Sequence, residues 1–417
     1  MILTVEGGGR LRGRVAVPGD KSISHRALLL AALAPGTSTI TGLSRGDDVA
    51  RTRAAIAALG ASVDGERVTG GRLHPPPGPI DAGNSGTTMR LLAGACAGFP
   101  WRVEITGDGS LRRRPMDRVA EPLGRMGARV SGQGPRAQPP LVVEGGVLRG
   151  VDYHLPVASA QVKGAVLLAG LRATGVTVVT EDVRTRAHTE EMLACCGATV
   201  DTSADGLTTR LQASELRPRD WRIPGDPSQA AFWLVAACIT PGSDLAVEEV
   251  YLGPARDGFV AVLERMGAKI DVGWRGERSA RLRARHSSLH ATRVEPGEVP
   301  GLIDEIPVLA VAAAAAEGTT LFEGVGELRV KESDRVATMA SELRALGARV
   351  ETDADAMAVT GGAALRGAHV DSHGDHRVAL AMAVAGLAAD GATTIEGWDA
   401  VAVSYPAFEE DLRACAS

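Results

Sequence analysis

One pattern recurs six times along the 417 residues and decides most of what the chain can become. An Ala- and Leu-rich segment is followed by glycine and then by a β-branched run. The copies are SHRALLLAALAPGTSTITGL from Ser24, TTMRLLAGACAGFPWRVEITG from Thr87, SAQVKGAVLLAGLRATGVTVV from Ser159, SQAAFWLVAACITPGSDLAV from Ser228, IDEIPVLAVAAAAAEGTTLFEG from Ile303 and DHRVALAMAVAGLAADGATTIEG from Asp375. Their closing glycines, Gly36, Gly98, Gly175, Gly242, Gly318 and Gly391, stand 62 to 77 residues apart. Self-similarity at such a period marks copies of one supersecondary unit.

A second signature interleaves with the first: an amphipathic helix, then Gly-Ala, then a strand. It reads ALGASVDG at Gly60, MGARVSG at Gly127, CGATVDT at Gly197, MGAKIDV at Gly267 and LGARVET at Gly347. Glycine suits the left-handed position that closes a helix, and β-branched residues suit the strand that follows. Each repeat is therefore expected to be roughly βαβαββ, giving an α/β chain of six repeats. One helix is apolar nearly all round and must be buried; the other is amphipathic and covers the outside. The sixth copy reaches its second helix, PAFEEDLRACAS from Pro406, with no strand after it. The N-terminal segment LTVEGGGRLRGRVAVPG is expected to supply strands that close this repeat. The arrangement predicts a discontinuous domain, residues 1–19 with 226–417, and a second domain, 20–225, with three repeats each. Two chain crossings would join them, as in a hinge.

Aromatic residues are only 3% of the chain, so its cores must be filled by Ala, Val and Leu. A net charge of −5 gives no sign of nucleic-acid or membrane binding. The longest apolar run, IPVLAVAAAAA from Ile306, falls short of the roughly 18 residues of a membrane span. MILTVEGGGR lacks the charged-then-apolar layout of a signal peptide, and a cytoplasmic protein is expected. The cysteines, Cys96, Cys195, Cys196, Cys238 and Cys415, form no CxxC. They are expected to be thiols in a reducing compartment, most of them buried, rather than metal ligands.

The polar chemistry gathers where the apolar helices begin: GDKSISHR, GNSGTTMR, VASAQVKG, PGDPSQAA, GLIDEIP and SHGDHR. Ser, Asp and Asn there have an ordinary role as N-caps. Capping does not require Lys21, Arg26, Arg90 or Arg377, and a cation beside a positive helix end is unfavourable unless an anion sits there. Of 45 basic residues only four are lysine, and three of these, Lys21, Lys163 and Lys331, fall in such starts. GDGSLRRRPMDR sets Arg112, Arg113 and Arg114 before Pro115, which suits a first helical turn. ELRVKESDR begins an outer helix, and TRAHTEEM, with Arg186 and His188, resembles another start. Taken singly, these are solvated loops, surface ion pairs and a capping histidine. Taken together, Lys21, Arg26, Arg114, Arg186, Lys331, Arg335 and Arg377 could neutralise several phosphate and carboxylate charges. Asp304 and Glu332 would be counterproductive in a purely electrostatic anion site, so they point to acid–base work. Neither a P-loop nor a Rossmann glycine pattern is present. A six-repeat ring encircling nucleic acid would spread cations along its inner helices, whereas here they cluster at helix starts.

In order, PGDKSISHR, GNSGTTMR, the RRRP stretch, VASAQVKGAVLLAGL, LIDEIPVLAVAAA, ELRVKESDR and HGDHR resemble the signatures of the 3-phosphoshikimate 1-carboxyvinyltransferases, or EPSP synthases, an enolpyruvyl transferase family. The resemblance runs from about Val15 to Phe408. It implies two domains of three βαβαββ units, an inside-out α/β barrel arrangement, closing over a cleft that holds the active site. It also implies transfer of the enolpyruvyl group of phosphoenolpyruvate to the 5-hydroxyl of shikimate 3-phosphate, by a monomer, without cofactor or metal. On this resemblance shikimate 3-phosphate is held by Lys21, Ser22, Arg26, Ser159, Ala160, Gln161, Arg186, Asp304 and Lys331. Phosphoenolpyruvate is held by Lys21, Asn84, Gly86, Arg114, Gln161, Arg335 and Arg377. Asp304 is the implied proton acceptor at the attacking hydroxyl. Glu332 is the implied group exchanging the proton at the enol methylene, with Lys21 and His376 nearby.

Some positions depart from the family pattern. Many members carry a C-terminal lysine against phosphoenolpyruvate where AVAVSYP has Val403 or Ser404. Ala160 replaces a serine of one branch, and Glu327 an asparagine. SAQVK and TRAHTE resemble the branch that includes less glyphosate-sensitive enzymes, yet Gly86 lacks the methyl of the alanine in some insensitive members, so inhibition is expected. The UDP-N-acetylglucosamine enolpyruvyl transferases of the same fold typically use a loop cysteine, which GDGSLRRRP lacks.

Overall fold

The computed structural model describes residues 1–416. Alternating apolar and amphipathic helices follow the two interleaved signatures. The apolar set is Lys21–Leu33, Gly86–Ala97, Ala160–Gly170, Pro227–Ile239, Ile306–Ala315 and His376–Ala388. The covering set is Asp47–Ala58, Asp117–Met126, His188–Cys195, Gly258–Arg265, Arg335–Ala345 and Phe408–Cys415. Burial follows composition: in His376–Ala388 every residue from His376 to Leu387 is buried. In Asp117–Met126 only Val119, Pro122, Leu123 and Met126 are buried. The Gly-Ala closers work as their chemistry dictates. Gly127 ends its helix at φ 110°, and the other four stand between 85° and 99°, a region costly for any residue with a Cβ.

The chain divides into two compact units, one of Met1–Pro18 with Pro224–Ser417 and one of Gly19–Ile223. In the second unit three four-stranded sheets surround the apolar helices. Their orders are Trp221–Arg222, Gly36–Thr41, Arg67–Gly70, Ser62–Asp64; then Ile80–Asp81, Arg102–Thr106, Gln138–Glu144, Arg129–Gln133; then Asp152–His154, Val176–Thr180, Thr208–Gln212, Val200–Thr202. In each, the first pair is parallel and the remaining pairs are antiparallel. A short parallel pair, Leu148–Arg149 with Ala173–Thr174, completes that unit. The first unit has two sheets of the same order, led by Arg12–Val15 and by Arg293–Val294, and one of three strands: His369–Asp371, Ala392–Glu396, Ile2–Glu6. Its three apolar helices pack on one another, and their Ala-rich faces let backbones approach closely.

Two expectations are corrected. The N-terminal segment does not close the sixth repeat alone. Ile2–Glu6 pairs antiparallel with Ala392–Glu396 of that repeat, but Arg12–Val15 pairs parallel with Asp244–Tyr251 of the fourth. The chain changes sheets at Gly7-Gly8-Gly9. A Cβ at Gly7 would sit 1.8 Å from the Ala389 carbonyl oxygen, so the turn lies flush against a helix end where only glycine fits. Pro115 does not enter the first helical turn either: the helix begins at Asp117, and Leu111–Arg113 is a short 3-10 turn.

Candidate active site

In the unit Gly19–Ile223 the candidate residues stand on three helix starts. Asp20 caps the first, its Oδ1 accepting from Ile23 N at 2.8 Å. Lys21 follows, its Nζ 2.8 Å from Oδ2 of Asp48, in the first turn of the neighbouring outer helix. One turn later Arg26 is buried and ties the repeats together. Its Nε donates to Thr189 Oγ1 at 2.7 Å, Nη1 to the Ser22 carbonyl at 3.0 Å and Nη2 to the Ala160 carbonyl at 3.3 Å. Arg186 Nη1 donates to Ser22 Oγ at 3.5 Å. Ser159 caps the third helix through Val162 N at 3.3 Å. Lys21, Ser22, Arg26, Ser159, Ala160, Gln161 and Arg186 thus share one neighbourhood.

Gln161 links it to the second helix start. Its Nε2 donates to Thr87 Oγ1 at 2.8 Å, and its Oε1 accepts from Arg90 Nη1 at 2.7 Å. Asn84 is oriented by donating to Asp108 Oδ2 at 2.8 Å and accepts from Arg114. Gly86 is where these cations converge: a Cβ there would lie 2.6 Å from Arg90 Nη1 and 3.3 Å from Arg114 Nη1. Behind Lys21 runs a buried polar chain. His25 Nδ1 meets Thr52 Oγ1 at 2.7 Å, Thr52 meets Thr88 at 2.7 Å, and Thr88 donates to Ser85 Oγ at 2.8 Å. Burial, then the charges of Lys21 and Arg26, hold the His25 imidazole well below its usual range, so it adds no cation to the group.

The unit formed by Met1–Pro18 and Pro224–Ser417 carries a second group. Asp304 precedes the helix Ile306–Ala315, and its Oδ1 lies 3.1 Å from Arg377 Nε and 3.5 Å from Arg335 Nη1. Arg377 Nη1 also donates to the Asp304 carbonyl at 3.1 Å. Arg335 opens its helix, donating from Nη2 to Glu332 Oε2 at 2.5 Å and from Nε to Asp375 Oδ2 at 2.8 Å. Asp375 Oδ1 caps Arg377 N at 2.9 Å. His376 is buried, with its Nδ1 4.0 Å from Asp375. Burial would lower the Arg335 guanidinium; Asp375, Glu332 and Asp304 outweigh it and hold the proton more firmly than usual. Lys331 goes the other way. Loss of hydration is the largest influence and lowers its ammonium, against the opposing pull of Asp304. Three cations, Lys331, Arg335 and Arg377, thus face three carboxylates, Asp304, Glu332 and Asp375. Carboxylates already occupy part of the donor capacity of Arg335 and Arg377, so an anion drawn to these guanidinium groups competes with the acids for them.

The structure separates the three lysines that the sequence grouped. Lys163 is buried against Glu181 at 2.7 Å and Glu190 at 2.8 Å, so it completes an internal ion cluster. Arg90, singled out as a cation at a helix start, stands among the candidates on Gln161, and Asp48, Thr189 and Asp375 stand there without having been assigned a role. For Asp375 the signal was present in HGDHR, where an acid sits between two histidines just before a helix. Among the described residues no group of three His, Cys, Asp or Glu side chains could hold a metal ion, and no helix is long and apolar enough to cross a membrane.

Comparison with known proteins places this arrangement. Residues 5–412 match the family described as EPSP synthase (3-phosphoshikimate 1-carboxyvinyltransferase). A 3-phosphoshikimate 1-carboxyvinyltransferase of Gloeobacter violaceus is 52% identical, covering 97% of this chain and 96% of the relative. One from Synechococcus sp. strain JA-3-3Ab is 49% identical, covering 99% and 96%. The solved EPSP synthase of Acinetobacter baumannii superposes with a TM-score of 0.87 at 38% identity, covering 100% of this chain and 98% of that one. The enolpyruvyl transferase NikO of Streptomyces tendae, 21% identical with a TM-score of 0.79, shares the fold. With helix starts, closing glycines and cation groups all falling inside a match of this length, the chain belongs to the EPSP synthase family.

Proposed function

We propose that the protein joins phosphoenolpyruvate to the 5-hydroxyl of shikimate 3-phosphate and releases phosphate, a step of the shikimate pathway to aromatic amino acids. The observation that carries this reading is the pair of cation groups at helix starts, one of which also holds Asp304 and Glu332. The substrates bring two phosphates and two carboxylates, and the cations of both groups offset their mutual repulsion. Glu332 delivers a proton to C3 of phosphoenolpyruvate, which makes C2 electrophilic. Asp304 takes the proton of the attacking hydroxyl, and a tetrahedral intermediate forms. Return of the C3 proton to the enzyme, with C–O cleavage, expels phosphate. Arg335 now donates to Glu332, so an incoming anion that draws this guanidinium away readies the acid for transfer. Positioning two anions in a water-poor site adds to the acid–base contribution. The family resemblance carries the reading that the protein acts as a monomer. Five free cysteines, four of them buried, support a reducing cytoplasm. Phosphate release measured with shikimate 3-phosphate and with UDP-N-acetylglucosamine tests the reading; activity with the second acceptor alone overturns it.

Gly86→Ala is expected to raise the KM for phosphoenolpyruvate about tenfold, the worth of one charged hydrogen bond. The new methyl overlaps Arg90 Nη1, which must shift from its place against Gln161, and it presses on Arg114. Glyphosate is expected to inhibit the native protein by using the same space, and less so this variant. An unchanged KM, or native turnover unaffected by millimolar glyphosate at low phosphoenolpyruvate, contradicts the respective half of the prediction.

A pH effect follows from Lys331. Its depressed proton affinity means the ammonium is lost earlier than usual as pH rises, so the KM for shikimate 3-phosphate should climb below the ordinary lysine midpoint of about 10.4. Lys331→Arg, which stays charged, should flatten that rise. The check is the KM profile of both proteins; a flat native profile up to about pH 10 argues against the assignment.

A further inference from the structure

We propose that Lys163 is a positioning residue for the shikimate-phosphate half of the site, acting through two buried carboxylates on Arg26 and Arg186; this rests on the function proposed above. Lys163 lies in the first turn of the helix Ala160–Gly170 and is almost inaccessible. Its Nζ reaches Glu181 Oε1 at 2.7 Å and Glu190 Oε1 at 2.8 Å, both buried as well.

Each carboxylate governs a different candidate residue. Glu181 follows the strand Val176–Thr180, and its Oε1 also accepts from Thr185 N at 3.1 Å while Oε2 accepts from Thr185 Oγ1 at 2.7 Å. These bonds fold residues 181–185 into one turn, and the next residue is Arg186, whose Nη1 reaches Ser22. Glu190 sits in the first turn of the helix His188–Cys195, beside Thr189, whose hydroxyl accepts from Arg26 Nε. The helix bearing Lys163 also supplies the Ala160 carbonyl to Arg26 and the Gln161 side chain to the site. Contact is tight here: a Cβ at the next residue, Gly164, would lie 2.8 Å from Thr189 Oγ1 and 3.3 Å from Arg26 Nη2.

One ammonium against two carboxylates is a poor choice for stability alone, since apolar groups of the same shape often do as well. What the ion cluster does is fix three separate segments at one point. It also neutralises one of two negative charges that would otherwise lie behind arginines meant to receive a phosphate.

The experiment separates positioning from plain structure. Thr185→Val keeps the shape, the ion cluster and the Thr185 N bond, but removes the hydroxyl that donates to Glu181 Oε2 just before Arg186. Its KM for shikimate 3-phosphate is expected to rise about tenfold, with kcat and the KM for phosphoenolpyruvate unchanged, and Thr185→Ser should restore it. Lys163→Met alone strands two buried charges and is at risk of misfolding. The neutral triple variant Lys163→Met, Glu181→Gln, Glu190→Gln avoids this and should show the same selective rise. The proposal is overturned if the triple variant keeps the native KM for shikimate 3-phosphate, or if both KM values rise together with a falling Tm. Native protein that neither turns over nor binds shikimate 3-phosphate by calorimetry removes the functional reading itself, an outcome read without any variant.

Discussion

Asp304→Ala is expected to lower kcat by about 10²–10⁴-fold, the usual worth of a positioned general base. Binding should move differently. The lost carboxylate now lies 3.1 Å from Arg377 Nε and 3.5 Å from Arg335 Nη1. Without it both guanidinium groups become more available to an anion, so the KM for phosphoenolpyruvate should hold or fall while turnover collapses. A residue that merely supported the fold would weaken both together. Glu332→Gln provides the companion test. It preserves an acceptor for Arg335 but cannot cycle a proton. Deuterium from heavy water incorporated into the enol methylene per product formed should vanish in Glu332→Gln and persist, at the lowered rate, in Asp304→Ala. Turnover within threefold of native in both variants, a change of under about 0.7 kcal/mol in the barrier, would remove the two acids from the chemistry.

The repeats were legible because each uses the same local physics. A helix apolar on all sides can only be buried, and a Gly-Ala closer has a conformational requirement that sequence displays. Strand partners were less legible. Ile2–Glu6 and Arg12–Val15 are separated by five residues, three of them glycine, and nothing within either says that one pairs with residues near 394 and the other with residues near 246. Trp221–Arg222, which leads the first repeat's sheet, is too short to show any periodicity. The site divides along the same line. Lys21, Arg26 and Arg377 stood out because cations beside helix starts need a reason. Their partners did not, since Thr189 is 163 positions from Arg26, and Asp48 looks like an ordinary acid in a first helical turn. Lys163 carried the same local signal as Lys21. Only folding reveals that its counter-charges, Glu181 and Glu190, belong to the protein rather than to a ligand.

Arg256 was invisible for the same reason, and its replacement is expected to produce the largest loss of stability in the chain. It lies in the loop before the helix Gly258–Arg265, in a stretch, LGPARDG, that reads as a solvated turn. Folding buries it to 2% exposure. Nη2 donates to Asp226 Oδ1 at 2.8 Å, and Nη1 reaches Ser228 Oγ at 3.0 Å and Glu305 Oε1 at 3.2 Å. Ser228 Oγ in turn donates to Glu305 Oε1 at 2.5 Å. Asp226 caps the helix Pro227–Ile239, and Glu305 adjoins both the helix Ile306–Ala315 and Asp304. One guanidinium therefore holds two apolar helix starts together. Arg256→Met strands two buried carboxylates, and breaking a buried ion pair from one side costs about 3–5 kcal/mol. For a unit of this size that corresponds to a fall in Tm of about 10 °C. Arg256→Met with Glu305→Gln should recover part of the loss, because one stranded charge is then neutral. Thermal melting followed by circular dichroism decides the matter. A single variant melting within about 2 °C of native, less than 1 kcal/mol, would mean that water or a shifted proton compensates the carboxylates and that Arg256 does not hold the helix starts together.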